Sequence, residues 1–137
     1  MTDDVLLNKA GIVERCLRRV SEEYQGDPGR LGIPTHQDAI VLNIERACQA
    51  AIDAAMHVVA RDHLGVPQDT ADAFRLLAVA GRLDRELAER LRRMVAFRNV
   101  AVHEYQALDL AILRSVVETR LIDFVDLCAA LGLRVLP

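Results

Sequence analysis

Four side chains that can bind an anion or move a proton lie within eight residues of this sequence, at Arg98, Asn99, His103 and Tyr105. The arginine guanidinium presents a planar set of donors that suits phosphate better than a lysine does. The histidine imidazole titrates near neutral pH, so it can serve as a general acid or base. The residue types at positions 97–106 therefore favour a functional role for this segment over a purely structural one.

Helical geometry limits how these side chains can meet. At about 100° per residue, Arg98 and Tyr105 share one face, whereas Asn99 and His103 lie one turn apart on another. Arg98 and His103 are about 140° apart around a straight helix and about 7.5 Å apart along it. One regular helix thus presents them poorly to a single small target. Two solutions are open: the helix bends or breaks between them, or a second copy of the chain brings its own pair to the same cleft.

Each of these residues also has a structural interpretation. A histidine taken alone is more often a structural residue than a catalyst. Arg98 could pair with Glu104 or another carboxylate, and surface pairs of that kind contribute little. Tyr105 could be a core tyrosine with a satisfied hydroxyl. Elsewhere, His57 and Arg61 lie one turn apart and are expected on a solvated face, and no histidine has a spacing that indicates a metal site.

The pattern of apolar residues predicts the helices that must position this segment. Turn residues cluster at 26–34, at 65–67 and at Gly81, and they separate five helical segments. We expect these segments at about 3–24, from after Pro34 to 64, at about 70–80, from about 84 onward, and at about 108–131. Five helices with short connections predict an all-α fold, an antiparallel helical bundle in a single domain over residues 1–137.

Finer features of these helices follow from local patterns. Thr35 with Asp38 resembles a capping box at the start of the second helix. Asp69 or Thr70 is expected to cap the third helix. The fourth helix has an apolar stripe made of Leu87, Leu91, Met94 and Val95. The fifth is expected to turn five residues inward, namely Leu110, Leu113, Val117, Leu121 and Phe124.

Composition supports a helical core in a reducing compartment. The apolar fraction is 52% while aromatic residues make up only 4%, so the core is expected to be aliphatic. No apolar stretch is long enough to cross a membrane. The acidic start is unlike a signal peptide. The three cysteines (Cys16, Cys48 and Cys128) are widely spaced, which predicts reduced core thiols and a cytoplasmic protein.

The net charge of −3 excludes a general nucleic-acid coat protein, so any contact with nucleic acid must be local. One local excess of positive charge exists between residues 82 and 98, where six arginines face three acidic residues. Two interpretations remain open for this region: an approach surface for RNA, or a solvated helix face with internal ion pairs.

The segment from Arg98 to Tyr105 resembles the HEPN family, whose signature is Arg-x4-His with Asn after the Arg. The longer form here, RNVAVHEY, looks like the HepT toxin branch of that family. Residues 37–47 are similar to the second helix of that branch, and Pro67 through Phe74 with Leu77 to its loop and third helix. Residues 94–97 are similar to the run that leads into the motif, where a Gly often replaces Ala96.

The resemblance implies an all-helical homodimer and an endoribonuclease that needs no metal and no cofactor. In this family Arg98 would bind the scissile phosphate and stabilise its extra charge in the transition state. His103 would act as general acid or base, and Asn99 would orient the phosphate or the imidazole. The RNA 2′-hydroxyl would attack and leave a cyclic phosphate.

The resemblance also implies a partner. HepT toxins pair with a minimal nucleotidyltransferase antitoxin of the MntA type, which adds AMP to the motif tyrosine, here Tyr105. The alternative is a non-catalytic HEPN subunit that binds such a nucleotidyltransferase. Intact Arg98 and His103 favour the enzyme, since a scaffold needs neither. Asn43 and Glu45, in the family-like stretch, could face the cleft or the antitoxin.

Overall fold

A computed structural model describes residues 3–103 and 108–137, apart from the side chain of His103. Every regular element in these two ranges is helical, which confirms the predicted fold class. The α-helices are α1 (Asp4–Tyr24), α2 (Pro34–Arg61), α3 (Asp72–Val79), α4 (Arg85–His103), α5 (Leu110–Ser115) and α6 (Ile122–Ala130). A 3-10 turn at Pro28–Gly32 precedes α2, and a π-helical turn at Val116–Arg120 joins α5 to α6. Because α5, the π turn and α6 form one continuous helical region, the described residues contain five α-helical regions, as predicted.

The longest helix, α2, forms the centre of the molecule. It packs against α1, α3, α4 and α6. Small side chains on α2 allow these close contacts, since all five alanines between positions 47 and 55 are buried. The core is aliphatic, as the composition indicates, with Phe74 and Phe124 as its largest fully buried side chains. No helix of the described ranges is long and apolar enough to cross a membrane.

The start of α1 is fixed by a carboxylate that has two roles. Asp3 Oδ1 accepts hydrogen bonds from the backbone N–H groups of Val5 and Leu6, which makes Asp3 the N-cap. Its Oδ2 lies 2.7 Å from His57 Nε2 and 3.0 Å from Arg61 Nη1. The bond to His57 lowers the pKa of Asp3 to about 2. Arg61 is exposed and His57 is half-buried, so the pair lies at the surface as expected, and both residues also tie the end of α2 to the start of α1.

The capping box predicted at Thr35 is wrong. Helix α2 begins one residue earlier, at Pro34, and Ile33 is its N-cap without a side-chain hydrogen bond. Proline suits the first helical position because its φ is already helical and the missing N–H would be unpaired there. The N-cap of α3 is Ala71, without a side-chain cap hydrogen bond, so the prediction of Asp69 or Thr70 is wrong as well. Asp69 lies two residues before Ala71, and its carboxylate accepts from the N–H groups of Ala71 and Asp72.

The inward stripe of the fifth helical region is only partly as predicted. Leu113 and Phe124 are buried, but Leu110 is 43% exposed, and Val116 is buried more deeply than Val117. The π turn at Val116–Arg120 adds a residue to one turn of the helix. It therefore rotates the buried face of the helical segment that follows. A fixed helical period cannot describe a region with such an insertion.

Candidate active site on helix α4

An apolar stripe on α4 fixes which of its faces points outward. The four residues predicted for that stripe are all buried, at positions 87, 91, 94 and 95, and Ala101 continues the buried face. Burial of this stripe turns the polar residues of the helix toward the surface. Arg98 is half-buried, whereas Asn99 is exposed.

Two neutral amides hold the guanidinium of Arg98. Its Nε donates to Asn99 Oδ1 at 3.0 Å, and its Nη1 donates to Gln49 Oε1 at 2.9 Å. No carboxylate lies within ion-pair distance of Arg98 among the residues that the structure describes. Among the described residues, the guanidinium is thus oriented by uncharged acceptors only, which leaves its charge available to a phosphate. Glu104, considered as a partner for Arg98, lies outside the described residues.

The contribution of Gln49 is absent from the predictions made from sequence. This residue lies on α2, and its Nε2 also donates to Asp53 Oδ1 at 2.9 Å one turn further along. Asp53 in turn lies 3.4 Å from Lys9 on α1. The sequence contains one relevant signal, the Gln–Asp pair at i and i+4. Nothing local shows that this pair meets α4.

The thiol of Cys48, whose pKa the charge of Arg98 affects, is expected to be unreactive. Cys48 is buried, and burial raises its pKa to about 11, although the charge of Arg98 opposes that change. A thiol with this pKa stays protonated at neutral pH and is a poor nucleophile. The other two cysteines are also buried and free, which confirms the prediction of reduced core thiols.

Helix α4 continues without a break from Arg98 to His103. Of the two solutions considered above, a break between these residues is therefore wrong. On an unbroken helix the two positions remain about 140° apart around the axis and about 7.5 Å apart along it. Within one chain the helix does not bring them to the same point. The His103 side chain and Tyr105 lie outside the described residues.

Most of the neighbouring arginines are in ion pairs. Arg82 bonds to Asp62 at 2.8 Å, and Arg90 bonds to the buried Asp123 at 3.0 Å. Arg92 and Arg93 both contact Glu89, at 3.0 and 3.7 Å. The interpretation of this region as an ion-paired helix face is favoured by these contacts. Arg98 differs from these four because its hydrogen-bond acceptors among the described residues are uncharged.

A cleft of about 360 Å³ opens beside Asn99. The loop before α3 supplies one wall, including Thr70, and the middle of α4 supplies the other, including Arg92 and Arg93. Asn43 does not contribute to this surface, because it is buried and its amide donates to the carbonyl of Ala39 on its own helix. Of the two residues left open on α2, Asn43 therefore has a structural contact, and Glu45 is half-buried.

Comparisons with known proteins identify close relatives over almost the whole chain. A family model described as ribonuclease HepT-like matches residues 11–131. The mRNA nuclease HepT of Shewanella oneidensis is 40% identical over 123 residues, which cover 89% of this chain and 92% of that protein. A putative RNase of Archaeoglobus fulgidus is 29% identical over 108 residues, or 77% of this chain and 81% of that protein.

Solved structures agree with the sequence relatives. The tri-AMPylated Shewanella oneidensis HEPN toxin, in complex with its MNT antitoxin, superposes with a TM-score of 0.90 at 37% identity. That match covers 96% of this chain and 98% of the toxin chain. A toxin–antitoxin structure with AMP-PNP gives a TM-score of 0.89 at 36% identity, covering 95% of this chain and 98% of that one. Likeness at this level, over nearly the full length of both chains, extends to the whole fold.

Proposed function

The chain belongs to the ribonuclease HepT-like family, and on that premise we propose that it is an endoribonuclease toxin controlled by a nucleotidyltransferase antitoxin. The observation that carries the proposal is the state of Arg98. Its guanidinium is held near the surface by two neutral amides, on the same helix as His103. A cation that its described neighbours orient without a carboxylate, together with a titratable histidine in the same motif, suits phosphodiester cleavage. We also propose a cytoplasmic location, which three buried free thiols support.

The reaction needs no metal in this scheme. The RNA 2′-oxygen attacks the adjacent phosphorus while its proton passes to a base, and the P–O5′ bond breaks as the 5′-oxygen takes up a proton. The products are a 2′,3′-cyclic phosphate and a 5′-hydroxyl. Arg98 stabilises the additional negative charge on the phosphoryl oxygens. His103 supplies one of the two proton transfers, and Asn99 keeps the guanidinium in place.

The site is completed by a second copy of the chain. Because α4 is unbroken, one protomer holds its Arg98 and His103 on different faces. In a homodimer, Arg98 of one protomer and His103 of its partner converge on one phosphodiester. A two-fold axis would create two such equivalent pairs, since each surface meets its own copy.

Cleavage of RNA in the presence of a chelator tests the proposed activity. The purified chain, incubated with a long transcript and excess EDTA, is expected to produce fragments that end in a cyclic phosphate, at the rate seen without EDTA. A transcript with a 2′-deoxy nucleotide at a cleavage site should resist at that position, because the attacking hydroxyl is missing. An intact transcript, or cleavage that EDTA stops, would contradict the proposal.

The antitoxin is expected to silence the enzyme at Tyr105. An MNT-type nucleotidyltransferase would transfer AMP to its hydroxyl, and the added anion would occupy the cleft beside Arg98 and compete with RNA for the guanidinium. Co-expression with an MNT-type nucleotidyltransferase should add one or more AMP masses and abolish cleavage. Tyr105→Phe should gain no mass and stay active. Equal mass gain in Tyr105→Phe would show that the modified residue lies elsewhere.

A further inference from the structure

We propose that Gln49 is a positioning residue for Arg98, and that Asp53 and Lys9 fix the orientation of the Gln49 amide. This inference rests on the proposed ribonuclease function and identifies parts of the same site outside the α4 motif. Gln49 acts through Arg98, not on the RNA itself. The three residues Lys9, Asp53 and Gln49 are called the Gln49 relay below.

Hydrogen-bond chemistry allows only one orientation of the Gln49 amide. Its two ends lie between a carboxylate and a guanidinium, each at 2.9 Å. The carboxylate of Asp53 can only accept and the guanidinium of Arg98 can only donate. In a flipped amide, Oε1 of Gln49 would face the carboxylate of Asp53, so two acceptors would meet. Its Nε2 would face the guanidinium of Arg98, so two donors would meet. Asp53 therefore forces Oε1 of Gln49 toward Arg98.

The Gln49 relay joins Arg98 to the most extensive helix pair of the fold. Gln49 and Asp53 lie one turn apart on α2, and Lys9 of α1 contacts Asp53 at 3.4 Å. Helices α1 and α2 pack along much of their length. A long arginine side chain near the surface has many rotamers, and binding a phosphate with a free one costs ordering entropy. A rigid acceptor on α2 removes part of that cost before RNA arrives.

The neutrality of Gln49 is the chemically informative feature. A glutamate at this position would hold Arg98 equally well, but its charge would cancel much of the attraction for phosphate. It would also repel Asp53 one turn away. A neutral acceptor orients the guanidinium while leaving its charge to the substrate.

Steady-state kinetics on the full-length protein test the role of the relay. Gln49→Ala is expected to lower kcat by about 10- to 100-fold, because misplacing a charge-stabilising group by about 1 Å has effects of that size. Gln49→Glu should raise KM and weaken the salt dependence of RNA binding, since less positive charge faces the phosphate. Asp53→Asn should lower kcat less than Gln49→Ala does, because an asparagine amide can accept from Gln49 or donate to it and therefore no longer forces one orientation.

A matched control separates this role from a general loss of stability. Met56→Ala removes another long exposed side chain from α2, two turns after Gln49 on the same face. It should leave kcat and the thermal midpoint unchanged. Gln49→Ala should also keep the native midpoint, because the lost contact is exposed. The proposal is overturned if kcat of Gln49→Ala is within twofold of kcat of Met56→Ala.

A readout that needs no catalysis separates failure of the relay from failure of the proposed function. In protein with 15N-labelled arginine, a guanidinium held by Gln49 should give resolved Nη signals for Arg98, identified by their absence in Arg98→Lys. Gln49→Ala should average these signals by freeing rotation, and Met56→Ala should not. Averaging in a chain that cleaves no RNA would support the contact and contradict only the ribonuclease. Unchanged signals in Gln49→Ala would overturn the relay even in an active enzyme.

Discussion

Replacing His103 by alanine is expected to lower kcat for RNA cleavage by about 100- to 10,000-fold, the range that a positioned proton-transfer group supplies. The substitution removes the imidazole and leaves Arg98 with its two amide acceptors. Affinity for RNA should therefore change little, and the loss should fall on kcat more than on KM. The measurement is single-turnover cleavage of an end-labelled transcript, with the native protein alongside.

A second histidine provides the control for this experiment. His63 is exposed and adopts a φ of +55°, a conformation that asparagine tolerates better than alanine does. His63→Asn should cleave RNA at the native rate. Undiminished cleavage by His103→Ala would show that the motif imidazole takes no part in the reaction.

Mixing two inactive variants is expected to restore activity. Arg98→Ala should lose about 100- to 1,000-fold in kcat when the charge-stabilising donor is removed. In a mixed dimer with His103→Ala, one of the two composite pairs is native: the first protomer keeps His103 and its partner keeps Arg98. Cleavage after subunit exchange should therefore rise well above that of either variant alone. A site that drew both groups from one chain would gain nothing.

The arrangement of the mixed dimer can be checked directly. The double variant Arg98→Ala/His103→Ala, mixed with either single variant, completes no native pair and should stay inactive. Size-exclusion chromatography should show that each variant is a dimer. If the mixture of single variants remains as inactive as its components while dimers exchange, the composite cleft between protomers is wrong.

The sequence predicts most of the fold because helix formation here depends on local periodicity. The stripe at Leu87, Leu91 and Met94 is buried as expected, since positions three and four apart face the same side of any α-helix. The prediction of buried positions fails where the helix departs from the regular α-helical period. The π turn at residues 116–120 rotates the face that follows it. Leu110 precedes that turn at the first position of α5 and is 43% exposed, so it also lies outside the stripe assigned to it.

The contacts of the candidate site likewise include some that the sequence can predict and some that it cannot. Arg98 and Asn99 are close in sequence, so their hydrogen bond lies within reach of a sequence-based argument. Gln49 is 49 residues away from Arg98, and its amide is an ordinary polar group on an Ala-rich helix. The cap at Asp3 is similar, since its partners His57 and Arg61 are more than fifty residues distant. Side-chain type alone does not identify either contact.

By itself, the sequence determined an all-α bundle, its five helical regions and the motif from Arg98 to Tyr105 that resembles the HEPN family. Only the tertiary structure decided that α4 is unbroken from Arg98 to His103 and that a glutamine from α2 holds the guanidinium. The physical reason is that periodicity reports which face of one helix is apolar. The rotation and register of two packed helices depend on how all their side chains interlock, which no single segment contains.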